Sequence, residues 1–465
     1  MSQATQLIYP TVDLFLYDLG DGLGQSSDQI NQNRRRFWQR IYNNSLDEQK
    51  LASFQAEEAT FANYIQLLGT QKIELFKHPL DGYYYPVKLG DTYAVQIDCA
   101  GKDNDPDWAQ LSQAEQLRQL KEIVLEHKHQ LPGEMGEDWL IWGKLATPNQ
   151  DPEATAQECY SALQIVPQPR WQRDCKGQGT FQGATLFELE QPDITPDGFN
   201  RNHHILICLF PHDKTDDELK KIIGRLYRDL IRLFHYRNKV LWVYEQSRQL
   251  KTTLKDSSGV VQKLVDCLPQ HLSYPPLNLN QLQQDLADAL SISHHYQISL
   301  GYLQEQASTI EINAKNYKNR VQVLDQLDAN SDLAFLEGFS ELATEKYLNH
   351  VKMDDQILNA GLKPLETFIK TIEGIIEIEK TKNERTLNQT VAIASVGIST
   401  ASLAASTLTE QAEGIVKGIF PVPANSPTPA LNYWTNFGLA FFLSVFIGVA
   451  SAAITWGVLR KGRKR

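Results

Sequence analysis

Hydrophobic positions follow a strand-like pattern in the first part of the chain. Residues 7–19 (LIYPTVDLFLYDL) are rich in apolar, aromatic and β-branched side chains, as strands are. Residues 83–99 resemble a β-hairpin that turns at a Gly-Asp pair. Two shorter apolar runs, at 186–190 and 204–210, predict further strands. With helices between them, these segments predict an α+β or α/β domain over residues 1–212.

Local signals in this domain mark a turn and a helix start. GDGLG at 20–24 follows the first strand and precedes a helix with arginines at 34–36. Its glycines lack the GxGxxG spacing of dinucleotide-binding loops, so we interpret it as an ordinary turn. Ser112 is followed three residues later by Glu115, which predicts a capping box.

From Asp216 the apolar positions recur at helical spacing, and no clear strand pattern follows. Prolines between 269 and 276 predict a break, a second helical stretch covers about 278–327, and a third begins near Pro364. The apolar stripe of the third stretch consists of Leu365, Phe368, Ile369, Ile372, Ile375, Ile376 and Leu387. Residues 213–385 are therefore predicted to form a long helical, coiled-coil-like stalk.

Two long uncharged segments follow the stalk. Residues 386–409 contain 24 uncharged residues, enough as a helix for about 36 Å. Residues 437–459 contain 23 uncharged, mostly apolar residues with tryptophans near both ends. We predict that residues 386–465 form a two-helix transmembrane hairpin, and hence that the chain is in contact with a lipid bilayer.

Charge predicts the orientation of this hairpin. Residues 386–465 carry six Lys and Arg against two Asp and Glu, whereas residues 1–385 carry 39 against 54, a net charge of −15. The positive-inside rule places the basic C-terminus in the cytoplasm, and two crossings return the N-terminus there too. We expect a multi-pass protein of the cell (inner) membrane with a cytosolic body. The basic collar beside the bilayer would consist of Lys380, Lys382, Arg385, Arg460, Lys461, Arg463, Lys464 and Arg465.

The first predicted membrane helix has a polar face. Its small polar residues fall on one stripe, which makes them candidates to line a pore: Asn388, Ser395, Ser399, Ser402, Ser406 and Thr409. Small residues at four-residue spacing favour close helix packing: Gly397, Ala401 and Ala405 in the first helix, and Ser444, Gly448 and Ala452 in the second. Glu410 and Glu413 follow the stripe and are candidates for an outer mouth.

The sequence contains few signs of catalysis. GxSxG, HExxH, P-loop and kinase motifs are absent, so we expect no enzymatic activity and no cofactor. The five cysteines are scattered and never in CxxC spacing, and the adjacent pairs His203-His204 and His294-His295 direct their rings apart, so the pattern identifies no metal site. The net charge of −11 argues against a nucleic-acid partner.

The order of these parts resembles the CorA family of divalent-cation channels. The similarity in residues lies in KTKNERTLNQTVAIASVGISTA (380–401) and in the second membrane segment with its basic tail (436–465). It implies a homo-oligomer whose first membrane helix lines a pore for divalent cations. The Gly-Met-Asn sequence of that family is missing, because the only methionines are Met1, Met135 and Met353.

Two hypotheses follow from the sequence. The first is a CorA-like oligomeric cation channel or transporter gated by its acidic cytosolic domain. The alternative is a membrane-anchored sensor, signalling protein or defence effector, whose hairpin serves only as an anchor.

Overall fold

The structure is a computed structural model of the chain. It describes residues 6–22, 24–58, 62–102, 106–129, 132–166, 168–194, 200–272 and 278–382. The strands are β1 (Leu7–Leu19), β2 (Ile65–Gln66), β3 (Glu74–Phe76), β4 (Gly82–Leu89), β5 (Thr92–Ala100), β6 (Gly136–Leu145), β7 (Cys175–Phe181), β8 (Ala184–Ile194) and β9 (Asn200–Phe210). The helices of the first 212 residues are α1 (Ser27–Tyr42), α2 (Glu48–Glu58), α3 (Pro106–Gln110), α4 (Gln113–His127), α5 (Pro152–Leu163) and α6 (Trp171–Asp174).

Helices alone follow β9 in the described chain. They are α7 (Asp216–Leu272), α8 (Leu279–Asp325), α9 (Ala334–Leu342), α10 (Asn349–Ala360) and α11 (Leu362–Lys382), with a π-helical turn at Ala343–Leu348 between α9 and α10.

One mixed sheet contains all the strands that the structure describes. Its order is β2-β4-β5-β1-β6-β9-β8-β7, with β3 paired to β4. β6 and β9 pair in parallel, and the other pairs are antiparallel. The long strand β1 therefore lies near the middle of the sheet, between β5 and β6.

The two faces of the sheet follow from the alternation of side chains along each strand. In β1, Val12, Leu14 and Leu16 belong to a large apolar core with residues of α1, α4 and α5. Phe15 and Tyr17 lie on the opposite face. The Phe15 ring is 5.3 Å from that of Phe234, and the Tyr17 hydroxyl donates to the Ile231 carbonyl at 2.9 Å. The first half of α7 therefore covers this second face.

The chain separates into two compact units. The first consists of Met1–Leu23, Asp28–Gln246 and Gln306–His350, and contains the sheet with the first part of α7 and the last part of α8. In this unit α9 packs on β7, where Phe335 lies so close that a Cβ at Gly177 would come within 2.6 Å of it. Only glycine fits there.

The second unit has its own apolar core, built from three helices. It includes Ser247–Glu305 and the chain from Val351 onwards. Its buried residues come from the C-terminal part of α7, the N-terminal part of α8, and α11: Val261, Leu282, Leu286, Ala289, Leu365, Phe368, Ile372 and Ile376. The last four belong to the stripe predicted from the sequence. Asp354 joins α10 to α7 by ion pairs with Arg248 (2.6 Å) and Lys251 (2.5 Å).

Much of the predicted secondary structure is confirmed. The first strand has the predicted bounds, and Gly90 adopts the left-handed conformation (φ +59°) in the tight turn between β4 and β5. The capping box at Ser112 is present, and the helical character predicted from residue 213 extends to Lys382. Pro269 itself lies within α7, and the break predicted at the prolines between 269 and 276 falls between the end of α7 at Leu272 and the start of α8 at Leu279. A proline removes one backbone hydrogen bond but does not always end a helix.

Candidate functional site

A buried charged layer lies between the sheet and α7. On this face several strand positions carry polar side chains, and α7 supplies polar partners to them. We call the following residues the charged layer: Asp13, Gln96, Asp98, Asp138, Glu188, Glu190 and His204 from the sheet, with Tyr227, Arg237 and Asn238 from α7. Most are less than a tenth exposed. Burial on this scale requires that each charge have a partner.

Two aspartates face each other at one end of this layer. Asp13 of β1 and Asp98 of β5 are direct partners in the antiparallel register. The Tyr227 hydroxyl lies 3.0 Å from Asp13 Oδ2 and 2.9 Å from Asp98 Oδ2, and Trp142 Nε1 donates to its oxygen at 2.6 Å. Gln96 Nε2 donates to Asp13 Oδ1 at 2.8 Å.

This pair retains a proton. Asp98 is hydrogen-bonded to Tyr227, to Tyr83 and to Asp13 itself, and a bond between two carboxyl groups requires a proton on one of them. Two buried like charges also repel each other. Burial, followed by the charge of Asp98, raises the pKa of Asp13 well above its ordinary value, and burial also raises the pKa of Asp98. Burial and mutual repulsion therefore both favour a proton shared between the two carboxyl groups.

A histidine bridges two carboxylates in the centre of the layer. His204 Nδ1 lies 2.7 Å from Asp138 Oδ1, and its Nε2 lies 3.1 Å from Glu188 Oε1. When both carboxylates are ionised, both ring nitrogens donate, which requires the imidazolium form. Burial and the charge of Arg237 lower the pKa of His204, but the hydrogen bonds to Asp138 and Glu188 outweigh them and the pKa is raised.

Arg237 and Asn238 connect this histidine cluster to α7. Asn238 donates to Asp138 Oδ2 and to the Phe234 carbonyl, and Arg237 forms an ion pair with Glu190 at 2.9 Å. Three carboxylates are thus matched by one imidazolium and one guanidinium. The His204 and Asp138 side chains are at most 1% exposed, so the cluster holds α7 on the sheet and offers no access to a substrate.

The GDGLG turn is occupied by the protein's own groups. The amides of Gly20 and Asp21 donate to the Asp91 carbonyl, at 2.8 and 3.2 Å. Arg40 of the following helix forms an ion pair with buried Asp18, which lowers the pKa of that carboxyl despite its burial. In the described part of the turn these contacts fit the ordinary-turn interpretation.

An open cleft lies in the first unit, outside the charged layer. It has a volume of about 470 Å³, and its walls include Tyr64, Ile65, Gln66 and Gly69 with Arg228 and Arg232 of α7. The Arg232 guanidinium lies 4.3 Å from the centre of the Tyr64 ring. No lining residue that the structure describes is acidic.

The site residues predicted from the sequence lie almost entirely outside the described residues. The pore-lining, outer-mouth and helix-packing candidates all follow residue 385, as do Arg460 to Arg465 of the basic collar. Lys380 and Lys382 lie in the last turn of α11. Among the helices that the structure describes, none combines the length and the apolar character needed to cross a bilayer.

The charged layer was not predicted from the sequence. Its only signal was the presence of acidic residues within apolar strands, such as Asp13 in VDLFL. Of the two histidine pairs, His204 contacts carboxylates, and the rings of His294 and His295 are 5.9 Å apart. Within the described ranges no group of three His, Cys, Asp or Glu side chains is arranged to hold a metal ion.

Comparison with known proteins gives one weak similarity. No family model matches the chain, and no curated protein matches it. Among solved structures, the chain is similar to the CorA magnesium transporter from Methanocaldococcus jannaschii, with 14% identity and a TM-score of 0.13. The alignment covers 69% of this chain and 90% of that chain. At this identity and TM-score the similarity establishes neither a shared fold nor a shared function.

Proposed function

We propose that the protein is a homo-oligomeric membrane protein that conducts cations, with its acidic α/β domain on the cytoplasmic side. The position of α11 in the chain supports this most directly. Its described part reaches Lys382, and three residues separate it from the 24-residue uncharged run over 386–409. A helix in this position would connect the second unit to the predicted membrane segment.

The charge distribution favours a cation over an anion. Residues 1–385 have a net charge of −15, and an acidic body beside a pore raises the local concentration of cations. Glu410 and Glu413, predicted at the opposite mouth, would add a ring of carboxylates in an oligomer.

The test combines native mass measurement with conductance. Full-length protein in mild detergent is expected to give an oligomer by native mass spectrometry, and to give cation currents in planar bilayers. Ser399→Leu with Ser402→Leu is expected to abolish the current by filling the polar stripe. A monomeric complex without conductance for several cations would rule the proposal out.

A matched control separates the stripe from general helix polarity. Thr400 and Thr407 belong to the same predicted helix but lie away from the stripe. Thr400→Leu with Thr407→Leu makes a similar change in hydropathy and should preserve the current. Equal loss in both double variants would contradict a pore along the stripe.

A membrane-anchored binding module is the second candidate function, and the cleft at Arg228 and Arg232 favours it. Under this function the stripe variants retain activity, whereas truncation before Thr386 removes only the membrane location. Activity that survives in the stripe variants and in the truncated form favours the binding module, whereas its loss in both favours the channel; fractionation confirms that the truncated form has left the membrane.

A further inference from the structure

The arginines of the cleft have no carboxylate partner. Arg228 and Arg232 lie one turn apart on α7, and neither forms an ion pair in the described part of the chain. Other arginines of the first unit are paired at close range: Arg40 with Asp18, Arg237 with Glu190, and Arg320 with Asp229. Arg228 is exposed and Arg232 is half-buried, so both guanidiniums are accessible to an anion from solvent, and an anion between them would offset their like charges.

The opposite wall of the cleft supplies neutral hydrogen-bonding groups. The hydroxyls of Tyr64 and Tyr85 are 2.6 Å apart, and Gln66 Nε2 donates to the Tyr85 hydroxyl at 2.9 Å. Burial and the bond with Tyr85 raise the pKa of Tyr64, although the charges of Arg232 and Arg228 act against this. Tyr64 therefore remains protonated and can donate a hydrogen bond to an anion.

The Tyr64 ring also orients Arg232. A guanidinium 4.3 Å from a ring centre forms a cation–π contact, which reduces the freedom that the side chain loses when it binds a ligand. A planar guanidinium held in this way presents paired N–H donors, the geometry that suits phosphate oxygens.

We propose that this cleft binds a soluble phosphate-bearing small molecule, with its phosphoryl group between Arg228 and Arg232 and its remainder against Tyr64 and Gln66. A volume of about 470 Å³ exceeds that of a phosphate ion and suits an organic phosphate. The site is independent of the proposed pore, because all of its residues belong to the first unit.

The first test is calorimetric titration of inorganic pyrophosphate into the full-length chain in a neutral detergent. Saturable binding is expected, and it should weaken as salt rises because the contacts are ionic. Arg228→Gln and Arg232→Gln should each weaken binding by about tenfold or more, since each removes a charge-assisted hydrogen-bonding group. Absence of saturable binding to the parent chain would overturn the proposal.

Arg225→Gln is the matched control. Arg225 is exposed, lies on the same side of α7 one turn before Arg228, and does not line the cleft. The variant loses the same charge and should bind pyrophosphate as the parent does. If it weakens binding as much as Arg228→Gln, the effect is one of general charge and the proposed site is wrong.

Two further measurements distinguish misfolding and lipid binding. Arg232→Lys keeps a charge but loses the paired donors, so binding should remain weakened while the thermal midpoint stays that of the parent. Pyrophosphate should bind the parent chain with the same affinity in phosphatidylcholine nanodiscs that contain phosphatidic acid and in those that lack it. If phosphatidic acid weakens pyrophosphate binding to the parent chain, it competes for the cleft. If it has no such effect on the residual binding of Arg228→Gln, the cleft belongs to a lipid headgroup and the proposal of a soluble ligand is wrong.

Discussion

The two faces of the central sheet are held by different forces, although the same strands supply both. On one face Val12, Leu14 and Leu16 pack into an apolar core with helices α1, α4 and α5. On the other, Asp13 and its neighbours in the charged layer bind α7 through hydrogen bonds and ion pairs. A change on the apolar face should remove contacts, whereas a change on the charged face should also leave a buried partner unsatisfied.

Apolar contacts adapt to substitution, whereas buried charges depend on one another. The charged layer makes the attachment of α7 sensitive to protonation. The apolar face attaches α4 and α5 without such dependence. α7 contributes residues to both units, and its first half is the part that the charged layer holds.

The largest expected effect comes from removing the histidine of the charged layer. His204→Leu leaves Asp138 and Glu188 buried without their donor, and should cost about 3–5 kcal/mol of local stability. Hydrogen exchange of the β6 and β9 amides, followed by mass spectrometry of the full-length chain, measures this free energy of opening.

Leu14→Ala on the opposite face is the comparison for this variant, with an expected cost of about 2–5 kcal/mol. The two losses differ in how they can be repaired. Combining His204→Leu with Asp138→Asn and Glu188→Gln should restore part of the stability, because the unpaired charges are gone. If the triple variant is no more stable than His204→Leu, buried charge is not the cause of the loss.

This difference between the faces also explains what the sequence could predict. The apolar face follows from strand and helix periodicity, and β1, the β4–β5 hairpin and the α11 stripe were found from it. The strand β6 (GEDWLIWGKL) was missed, since its glycines and charges resemble a loop. Its Asp138 lies on the α7 face, where residues distant in sequence satisfy it.

The candidate sites could not be predicted from the sequence either, because their residues are far apart along the chain. Asp138 and His204 are 66 residues apart in sequence, and Asn238 is 100 residues from Asp138. The cleft joins residues near 64 to Arg228 and Arg232. Contacts between residues so distant in sequence leave no short-range sequence pattern, because they form only when the strands and α7 pack together. The predicted pore residues lie outside the described residues and remain predictions.

An intermediate effect is expected from neutralising one aspartate of the carboxylate pair. The folded chain raises the pKa of Asp13 above its ordinary value of 3.8, so it holds a proton that the unfolded chain releases. Stability from this group is therefore present below pH 3.8 and is lost as pH rises towards the folded pKa. Asp13→Asn removes this penalty and should stabilise the chain by about 1–2 kcal/mol at pH 8.

The pH profile distinguishes this effect from altered packing. Hydrogen exchange of β1 and β5 amides, corrected for the intrinsic effect of pH, should give a gain for Asp13→Asn that grows between pH 5 and 8. The raised pKa of His204 gives the parent and the variant the same further loss of stability as pH increases. A gain that is constant with pH would mean that Asp13 is ionised in the folded chain.

The smallest effect is expected at the helix cap that serves the apolar face. Ser112 and Glu115 close a capping box at the start of α4, whose Leu117 and Leu120 enter the apolar core. Ser112→Ala should cost about 1 kcal/mol, measured by exchange of the α4 amides at pH 7. Ser53→Ala in α2 is the control, because its hydroxyl bonds only to the Lys50 carbonyl, and it should have almost no effect.

The pH dependence of this last variant has the opposite sign to that of Asp13→Asn. Hydrogen bonds from Ser112 lower the pKa of Glu115 from 4.5, so the cap's contribution is present above that pH and lost as pH falls through the lowered pKa. The cost of Ser112→Ala should therefore shrink in acid, where the protonated Asp13 contributes most. If the change in the free energy of unfolding had the same pH dependence in Ser112→Ala and Asp13→Asn, helix capping and buried charge could not be separate stabilising forces on the two faces.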